Sequence, residues 1–178
     1  MDPFATLGLP QRYPIDKDVL DRRYRELQQT LHPDKHASAP ASERALTLRK
    51  AIEVNEAYRV LRDDERRAEA LLRALGGHAS EQAADPELLM EMMERREALS
   101  EARADKDAAT VAQLSAAVAE QATAARQELA AVFDALHGQP QPASGASFLE
   151  RAQALLGRLR YYRRFQDEVA LFEDEALV

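Results

Sequence analysis

The sequence predicts an all-α protein, and three observations support this fold class. Aromatic residues make up only 6% of the 178 residues and tryptophan is absent, which does not suit a β-sandwich. Apolar residues recur at the spacing of amphipathic helices, and the strict alternation of a half-buried strand hardly occurs. Residues that cap helix N-termini, two of them Asp followed by Pro, recur along the chain.

Composition and charge exclude several classes of protein. The 24 Lys and Arg against 31 Asp and Glu give a net charge of −7, which argues against general nucleic-acid binding. The absence of cysteine excludes disulfides, thiolate metal sites and a cysteine nucleophile. No apolar run reaches membrane-spanning length, and the first residues lack the basic and apolar regions of a signal peptide and the Arg and Ser bias of a transit peptide, so we expect neither. We therefore expect a soluble, cytoplasmic protein that binds neither nucleic acid nor membrane.

The chain is predicted to fold as two modules. Residues 1–75 carry a net charge of +1, whereas residues 76–178 carry a net charge of −8. Two glycines, Gly76 and Gly77, begin a stretch that ends at Asp85-Pro86, and this composition is typical of a hinge. The predicted boundaries are an N-terminal domain at 1–76, a linker at 77–85 and a C-terminal domain at 86–178.

The first module is predicted to hold a helical hairpin flanked by short helices. Asp2-Pro3 begins a short helix, and Asp16 caps the next, which must end near His32 because Pro33 disfavours helical backbone before it. Its expected inward stripe is Leu20, Tyr24, Leu27 and Leu31. A loop is predicted from Asp34 to Ala41. The third helix follows Ser42, with the expected inward stripe Leu48, Ala51, Val54, Tyr58 and Leu61.

A fourth helix completes the first module, and three longer ones form the second. The fourth is capped by Asp63 or Asp64 and stopped near Leu75 by a left-handed Gly76. The second module is predicted to form an antiparallel three-helix bundle. Its first helix runs from Pro86 to about Ala104, its second from Asp107 to about Leu136, and its third follows a loop at 138–147. Ser147 and Glu150 form a capping box for the last helix.

A polar loop between the two hairpin helices is the first candidate site. His32-Pro33-Asp34 lies at its tip, and the preceding helix carries the basic residues Arg22, Arg23 and Arg25. Arginine side chains pair with carboxylates, and Asp34 can pair with an arginine across an interface. The arrangement predicts docking on an acidic partner surface.

The first module resembles a J-domain. The resemblance rests on His32-Pro33-Asp34-Lys35, on residues 24–27 (Tyr-Arg-Glu-Leu) and on residues 54–61 (Val-Asn-Glu-Ala-Tyr-Arg-Val-Leu). J-domains stimulate ATP hydrolysis by heat-shock chaperones of the DnaK and HscA type. The resemblance implies that the chaperone-binding residues are His32, Pro33, Asp34, Lys35, Arg22, Arg23 and Arg25.

A metal site is the alternative interpretation of this loop. His32, Asp34 and His36 are all common metal ligands, and together they would suit a small metal-dependent hydrolase. A further ligand would usually be needed, and no other His or carboxylate arrangement marks a catalytic metal centre. We therefore expect no metal and no resident cofactor.

The first long helix of the second module carries two apolar stripes. At 100° per residue, Leu88, Met92, Leu99 and Ala102 share one side and are expected to face the bundle. On the other side, Leu89, Met90 and Met93 lie beside Glu94, Glu97 and Glu101. A Met-rich patch with a charged rim is typical of a binding surface, although it could also pack against another helix of the bundle or against the first module.

The second module resembles that of HscB-type co-chaperones. Residues 88–97 (Leu-Leu-Met-Glu-Met-Met-Glu-Arg-Arg-Glu) are similar to the family signature Phe-Leu-Met-Glu-x-x-Glu-x-Arg-Glu. Phe4, residues 7–10 and Tyr13 fit the family's opening, and residues 67–69 (Arg-Ala-Glu) fit its inter-domain helix. Three positions depart from the pattern: Asp64 replaces a proline, Ala70 an aromatic residue and Arg95 an apolar one.

The resemblance implies a function in iron–sulfur cluster assembly. In that family the bundle binds the scaffold protein IscU and delivers it to the chaperone HscA. The scaffold-binding residues would be Leu89, Met90, Met93, Glu94, Glu97 and Glu101, with Tyr161 as the aromatic residue near them. We find no nucleophile–base pair or phosphate-binding glycine loop and predict no enzymatic activity. The alternative is a general J-domain adaptor that serves a DnaK-type chaperone and a different client.

Overall fold

The computed structural model describes residues 1–36, 38–77, 85–137 and 145–176, and this part is helical with no strand. The prediction of an all-α fold is therefore confirmed. The helices are α1 (Pro3–Leu7), α2 (Lys17–Thr30), α3 (Ala41–Arg62), α4 (Asp64–Ala74), α5 (Pro86–Ala104), α6 (Ala108–His137) and α7 (Gly145–Ala176), and a 3-10 turn spans Pro33–His36. None of the described helices is long and apolar enough to cross a membrane.

The chain forms two compact units, Met1–His78 and Ala79–Val178. Most of the linker predicted at 77–85 lies outside the described residues. Gly76 adopts the left-handed backbone predicted for it, with a φ of +81°, directly after the Leu75 cap of α4. This conformation suits glycine because it has no side chain to clash with the backbone.

The first unit has an apolar core to which all four of its helices contribute. In α1, the Asp2 carboxylate accepts the N–H of Phe4 at 2.9 Å and so caps the helix whose Phe4 and Leu7 are buried. Asp16 caps α2 in the same way, accepting the N–H of Asp18 at 2.9 Å. The other buried apolar side chains of α2, α3 and α4 are Leu20, Val54, Ala57, Leu61, Ala68, Leu71 and Leu72.

Polar and aromatic side chains, as well as apolar ones, join α2 to α3. The rings of Tyr24 and Tyr58 stack with centroids 4.0 Å apart. Tyr58 Oη donates to Asp21 at 2.8 Å, and Tyr24 Oη donates to Asn55 at 2.9 Å. Gln28 completes the set by donating to both Tyr24 and Asn55. These hydrogen bonds fix the register of the hairpin, because each forms only when its donor and its acceptor lie at the same level along the two helices.

The predicted inward stripes of the hairpin are only partly correct. In α2 only Leu20 is fully buried, and Tyr24, Leu27 and Leu31 are half-buried. In α3 the prediction for Leu48 is wrong, because its side chain is 60% exposed whereas the neighbouring Thr47 is buried. At 100° per residue, Thr47 falls close to the angle of Val54 and Leu61 on the helix, and Leu48 lies well away from them.

The ends of the hairpin helices also differ slightly from the prediction. Helix α2 ends at Thr30, and the segment expected to be a loop begins with the 3-10 turn. Helix α3 begins at Ala41, after Pro40, rather than after Ser42, and no side chain caps it. A proline can precede a helix without a side-chain cap, since its own backbone is extended here, with a ψ of 152°.

A buried arginine ties three segments of the first unit together. Arg67 is 5% exposed, and its Nε donates to the carbonyl of Tyr13 at 2.8 Å. One terminal nitrogen donates to the carbonyl of Leu61, and the other to the carboxylate of Asp64, each at 2.6 Å. The guanidinium also lies 5.1 Å from the centre of the Tyr13 ring. Asp64, which departs from the family pattern, thus serves as the counter-ion of a buried cation.

The second unit is a three-helix bundle, as predicted. Helix α5 begins after the Asp85 cap and ends at Ala104 as predicted. Asp107 accepts the N–H groups of Ala109 and Thr110, each at 3.1 Å, and hydrogen bonds from Thr110 lower the pKa of this carboxyl. Hydrogen bonds between Ser115 and Gln166 show one point of contact between α6 and α7.

The predicted start of the last helix is wrong. Helix α7 begins at Gly145, so Ser147 lies inside the helix instead of capping it, and the rest of the loop predicted at 138–147 falls outside the described residues. A serine cap is a local preference of about 1 kcal/mol. Extending the helix by further backbone hydrogen bonds can outweigh it.

A pH-dependent loss of stability is predicted for the hairpin. The hydrogen bond to Asp21, together with partial burial, raises the pKa of Tyr58 above its ordinary value of 10.0. This hydrogen bond stabilises the fold below pH 10.0, and its contribution is lost as the pH rises through the raised pKa. Tyr58→Phe should lower the free energy of unfolding by about 1 kcal/mol at neutral pH and remove this alkaline loss.

Urea unfolding followed by circular dichroism at neutral and alkaline pH measures both effects. Tyr24→Phe is the matched control, because it removes a neighbouring hydroxyl but keeps the Tyr58–Asp21 pair and its alkaline loss. An unchanged alkaline loss in Tyr58→Phe would contradict the assignment.

Candidate functional site

The loop after α2 presents His32 and Asp34 to solvent. The 3-10 turn Pro33–His36 begins with the proline, and Lys35 N–H donates to the carbonyl of His32 at 3.0 Å. Within this turn the Asp34 N–H donates to His32 Nδ1 at 3.3 Å, and the two side chains approach to 3.5 Å. Both remain accessible, with 57% of the His32 side chain and 89% of the Asp34 side chain exposed.

His36 turns back towards α2 and holds the loop against it. Its Nε2 lies 3.0 Å from the carbonyl oxygen of Thr30, one of the last residues of the helix. In the part of the chain that the structure describes, no group of three or more His, Asp or Glu side chains is placed to hold a metal ion. The loop offers an imidazole, a carboxylate and the exposed Lys35, and each of these groups can form hydrogen bonds with a partner.

The three arginines of α2 are all exposed but differ in their contacts. Arg23 pairs with Glu26 at 3.2 Å, and Arg25 Nε donates to the carbonyl of Asp21 at 3.1 Å. Arg22 has no ion pair among the described residues. The face therefore has one guanidinium free of local contacts and two held in place along the helix.

A second candidate surface lies on α5, and its two stripes are arranged as predicted. Leu88, Met92, Leu99 and Ala102 are all at most 5% exposed and form the inward stripe. Leu89, Met90 and Met93 are 38%, 64% and 69% exposed, and we call these three the Met-Leu patch. The exposed acidic side chains beside it, which we call the acidic rim, are Glu94, Glu97 and Glu101. Neither α6 nor α7 covers the patch, so packing within the bundle does not account for it.

Two ion pairs join α7 to α5 and its cap, and they set the register between Tyr161 and this patch. Arg96 pairs with Glu168 at 2.6 Å, and Asp85 pairs with Arg158 at 3.6 Å, so the two helices run parallel. This register puts Tyr161 level with Leu89. Tyr161 is two turns before Glu168 on the same face of α7, because seven residues nearly complete two helical turns. Tyr161 is half-buried, and this register leads us to expect it on the α5 side of α7, near the Met-Leu patch.

Arg95 lies at the boundary of the bundle core, and one terminal nitrogen of its guanidinium is buried there. Its side chain is 18% exposed, and it donates to Glu91 at 2.7 Å. The same Glu91 oxygen accepts from Gln121 of α6 at 2.9 Å. The aliphatic stem of Arg95 can therefore pack in the bundle while its charge is paired.

Sequence reasoning missed Glu91, Gln121 and the Arg96–Glu168 pair. These contacts join residues far apart in the chain, and local periodicity carries no signal for them.

Both units match known family models. Residues 84–170 match the model described as the HSCB C-terminal oligomerisation domain, and residues 2–70 match the DnaJ domain. A co-chaperone protein HscB homolog of Bordetella petrii is 39% identical over 139 residues, which cover 76% of this chain and 81% of the relative.

Solved structures agree with this match. Chaperone HscB from Vibrio cholerae superposes with a TM-score of 0.81 at 29% identity, covering 98% of this chain and 99% of that one. Human co-chaperone protein HscB shares the fold, with a TM-score of 0.82 at 22% identity, covering 97% of this chain and 82% of that one. The chain, with an N-terminal J-domain and a C-terminal HscB domain, therefore belongs to the HscB family of co-chaperones, which is not a family of catalytic enzymes.

Proposed function

We propose that the chain is a cytoplasmic co-chaperone of iron–sulfur cluster assembly with two partners. Its C-terminal bundle binds an IscU-type scaffold protein, and its J-domain stimulates the ATPase of an HscA-type chaperone. The observation that carries the proposal is the exposed Met-Leu patch with its acidic rim, on the same chain as an exposed His32-Pro33-Asp34 loop.

The J-domain acts on its chaperone through binding alone. Stimulation of a partner's ATPase requires tighter binding to the conformation that hydrolyses ATP than to the other conformations. The exposed carboxylate of Asp34 offers a charge-assisted hydrogen bond to a cationic group of the partner, and the arginines of α2 offer the same to its carboxylates. Because the 3-10 turn is held by hydrogen bonds to His32 and Thr30, little conformational entropy is lost when it docks.

The Met-Leu patch suits a partner with an apolar centre and a basic rim. Methionine side chains are flexible and polarizable, so Met90 and Met93 can adapt to the shape of another surface. Apolar anchors near the centre of an interface usually contribute most of the binding energy, and the charged rim contributes specificity and association rate. Glu94, Glu97 and Glu101 would face basic side chains of the scaffold.

A second copy of this chain is the other occupant to consider, since the matching family model is described as an oligomerisation domain. In a two-fold symmetric contact through the patch, the same surface would face itself. The acidic rims of the two copies would then lie close together and repel each other. This charge pattern favours the scaffold as the occupant.

Loss of the Asp34 carboxylate is predicted to abolish most of the chaperone stimulation. We expect Asp34→Asn to reduce the stimulation of an HscA-type chaperone at least tenfold, because a charge-assisted hydrogen bond contributes roughly 1.5–3 kcal/mol. Steady-state ATP hydrolysis by the chaperone, with scaffold present, measures the effect. Asp18→Asn, which removes an exposed carboxylate from the first turn of α2, is the matched control.

The same assay with a DnaK-type chaperone separates the proposal from its alternative. Stimulation of the HscA-type chaperone and not of the DnaK-type one is the expected result. Stimulation of the DnaK-type chaperone alone would retain the J-domain function and reject the assignment to iron–sulfur assembly.

Truncation of the patch is predicted to weaken scaffold binding. Leu89→Ala combined with Met93→Ala should raise the scaffold Kd at least tenfold, which corresponds to about 1.4 kcal/mol, because two exposed apolar anchors are lost. Isothermal titration calorimetry measures the Kd. Ile52→Ala is the matched control, since Ile52 is 59% exposed but lies on α3 in the first unit.

Two outcomes would contradict the proposal that the scaffold binds the Met-Leu patch. Unchanged affinity in the double variant, with its fold intact by circular dichroism, would reject the patch as the binding site. A wild-type chain that sediments as a dimer, and a double variant that sediments as a monomer, would assign the patch to self-association.

A further inference from the structure

An open groove at the junction of α3 and α4 has no part in the proposed function. It has a volume of about 440 Å³ and is lined by Tyr58, Arg59, Arg62, Asp63 and Arg66. Three of its five lining residues are arginines, which come from two successive helices. The groove lies at the C-terminal end of α3, and the His32-Pro33-Asp34 loop lies before the N-terminal end of that helix.

The guanidinium groups of the groove are available to a ligand. Within the part of the chain that the structure covers, Arg59, Arg62 and Arg66 make no ion pair. Arg62 lies 5.8 Å from the centre of the Tyr58 ring. A guanidinium stacked on an aromatic face keeps its N–H edge free for hydrogen bonds.

The acidic side chains next to the groove accept hydrogen bonds from other groups of the chain. Asp63 accepts the backbone N–H groups of Glu65 and Arg66, each at 3.0 Å, and so caps α4. Asp21 of α2 accepts the hydroxyl of Tyr58 at 2.8 Å. Asp64 is the counter-ion of the buried Arg67. Of these three carboxylates only Asp63 lines the groove, so the cationic side chains of the lining outnumber its single acidic one by three to one.

We propose that this groove binds an acidic peptide segment, with Arg59 and Arg66 each pairing with a carboxylate and Arg62 between them. The planar fork of an arginine matches a carboxylate with two parallel hydrogen bonds. An extended segment fits better than a compact ion, because the groove that the three arginines line is open to solvent and is not a closed pocket. This inference does not rest on the identity of the chaperone or of the scaffold.

Two other anions fit the groove less well. A bound phosphate at a helix terminus normally uses backbone N–H groups, and at the start of α4 two of these already bind Asp63. A nucleic acid would extend well beyond a groove of this size, along a chain whose net charge of −7 repels its phosphates, whereas a short acidic peptide can contact the arginines alone. The same net charge repels an acidic peptide everywhere except at a local cluster of cations. Binding of such a peptide would therefore indicate that it contacts this cluster of arginines.

Fluorescence anisotropy of a short labelled oligoglutamate peptide with the full-length chain tests the proposal. We expect Arg59→Ser combined with Arg66→Ser to weaken binding roughly tenfold, since two exposed ion pairs are lost. Both side chains are exposed and outside the core, and Arg66→Ser alone is the second variant if the double variant melts at a lower temperature. Arg44→Ser combined with Arg49→Ser is the matched control, because it removes the same charge from the other end of α3.

Wild-type affinity for the peptide in the control variant, together with weakened affinity in the groove variant, would support the proposed binding site. Equal loss in both variants would overturn it, because the peptide would then respond to overall charge. Displacement of the peptide by inorganic phosphate, at matched ionic strength in chloride, would also overturn it and indicate a general anion site. Tighter binding of a single-stranded oligonucleotide than of the peptide, through the same arginines, would reassign the groove to nucleic acid.

Discussion

Helix α5 carries apolar side chains on two sides, and a bundle of three helices can bury only one of them. Leu88 and Met92 lie on the buried side, and the Arg96–Glu168 pair holds the helix in this orientation. Met90 and Met93 are consequently left in solvent. Rotating α5 to bury them would expose the first pair and break the ion pair. The exposed patch is therefore a consequence of how the bundle packs, and its function follows from what can cover it.

In the first unit, the loop depends on a hairpin that is held mainly by specific contacts. The stacked rings of Tyr24 and Tyr58 and their hydrogen bonds fix α2 against α3 at one register. Arg67 then joins the end of α3 to α4 and to the segment before α2 through three hydrogen bonds. Because buried donors of this kind have few alternative partners, they favour one arrangement of the helices. Pro33 consequently begins its turn at a defined position relative to the exposed face of α2.

The sequence predicted those features that depend on neighbours in the chain. Asp2, Asp16 and Asp85 were recognisable as caps because a cap needs only the next three residues. The two sides of α5 were predictable because their spacing follows the helical period. The exposure of Leu48 was not predicted, since it depends on which turn of α3 faces the other helices. The three bonds of Arg67 were not predictable either, because they join positions up to 54 residues apart.

The account depends on one chain holding the scaffold and the chaperone at the same time. A complementation assay tests this directly, using an Asp34→Asn chain, which keeps the patch, and a Leu89→Ala, Met93→Ala chain, which keeps the loop. The two full-length variants are mixed in equal amounts with an HscA-type chaperone and the scaffold, and the steady-state ATPase rate is measured. The account predicts that the mixture stimulates no more than the two variants measured separately. Recovery of the wild-type rate by the mixture would contradict it, because the two surfaces would then act without being joined.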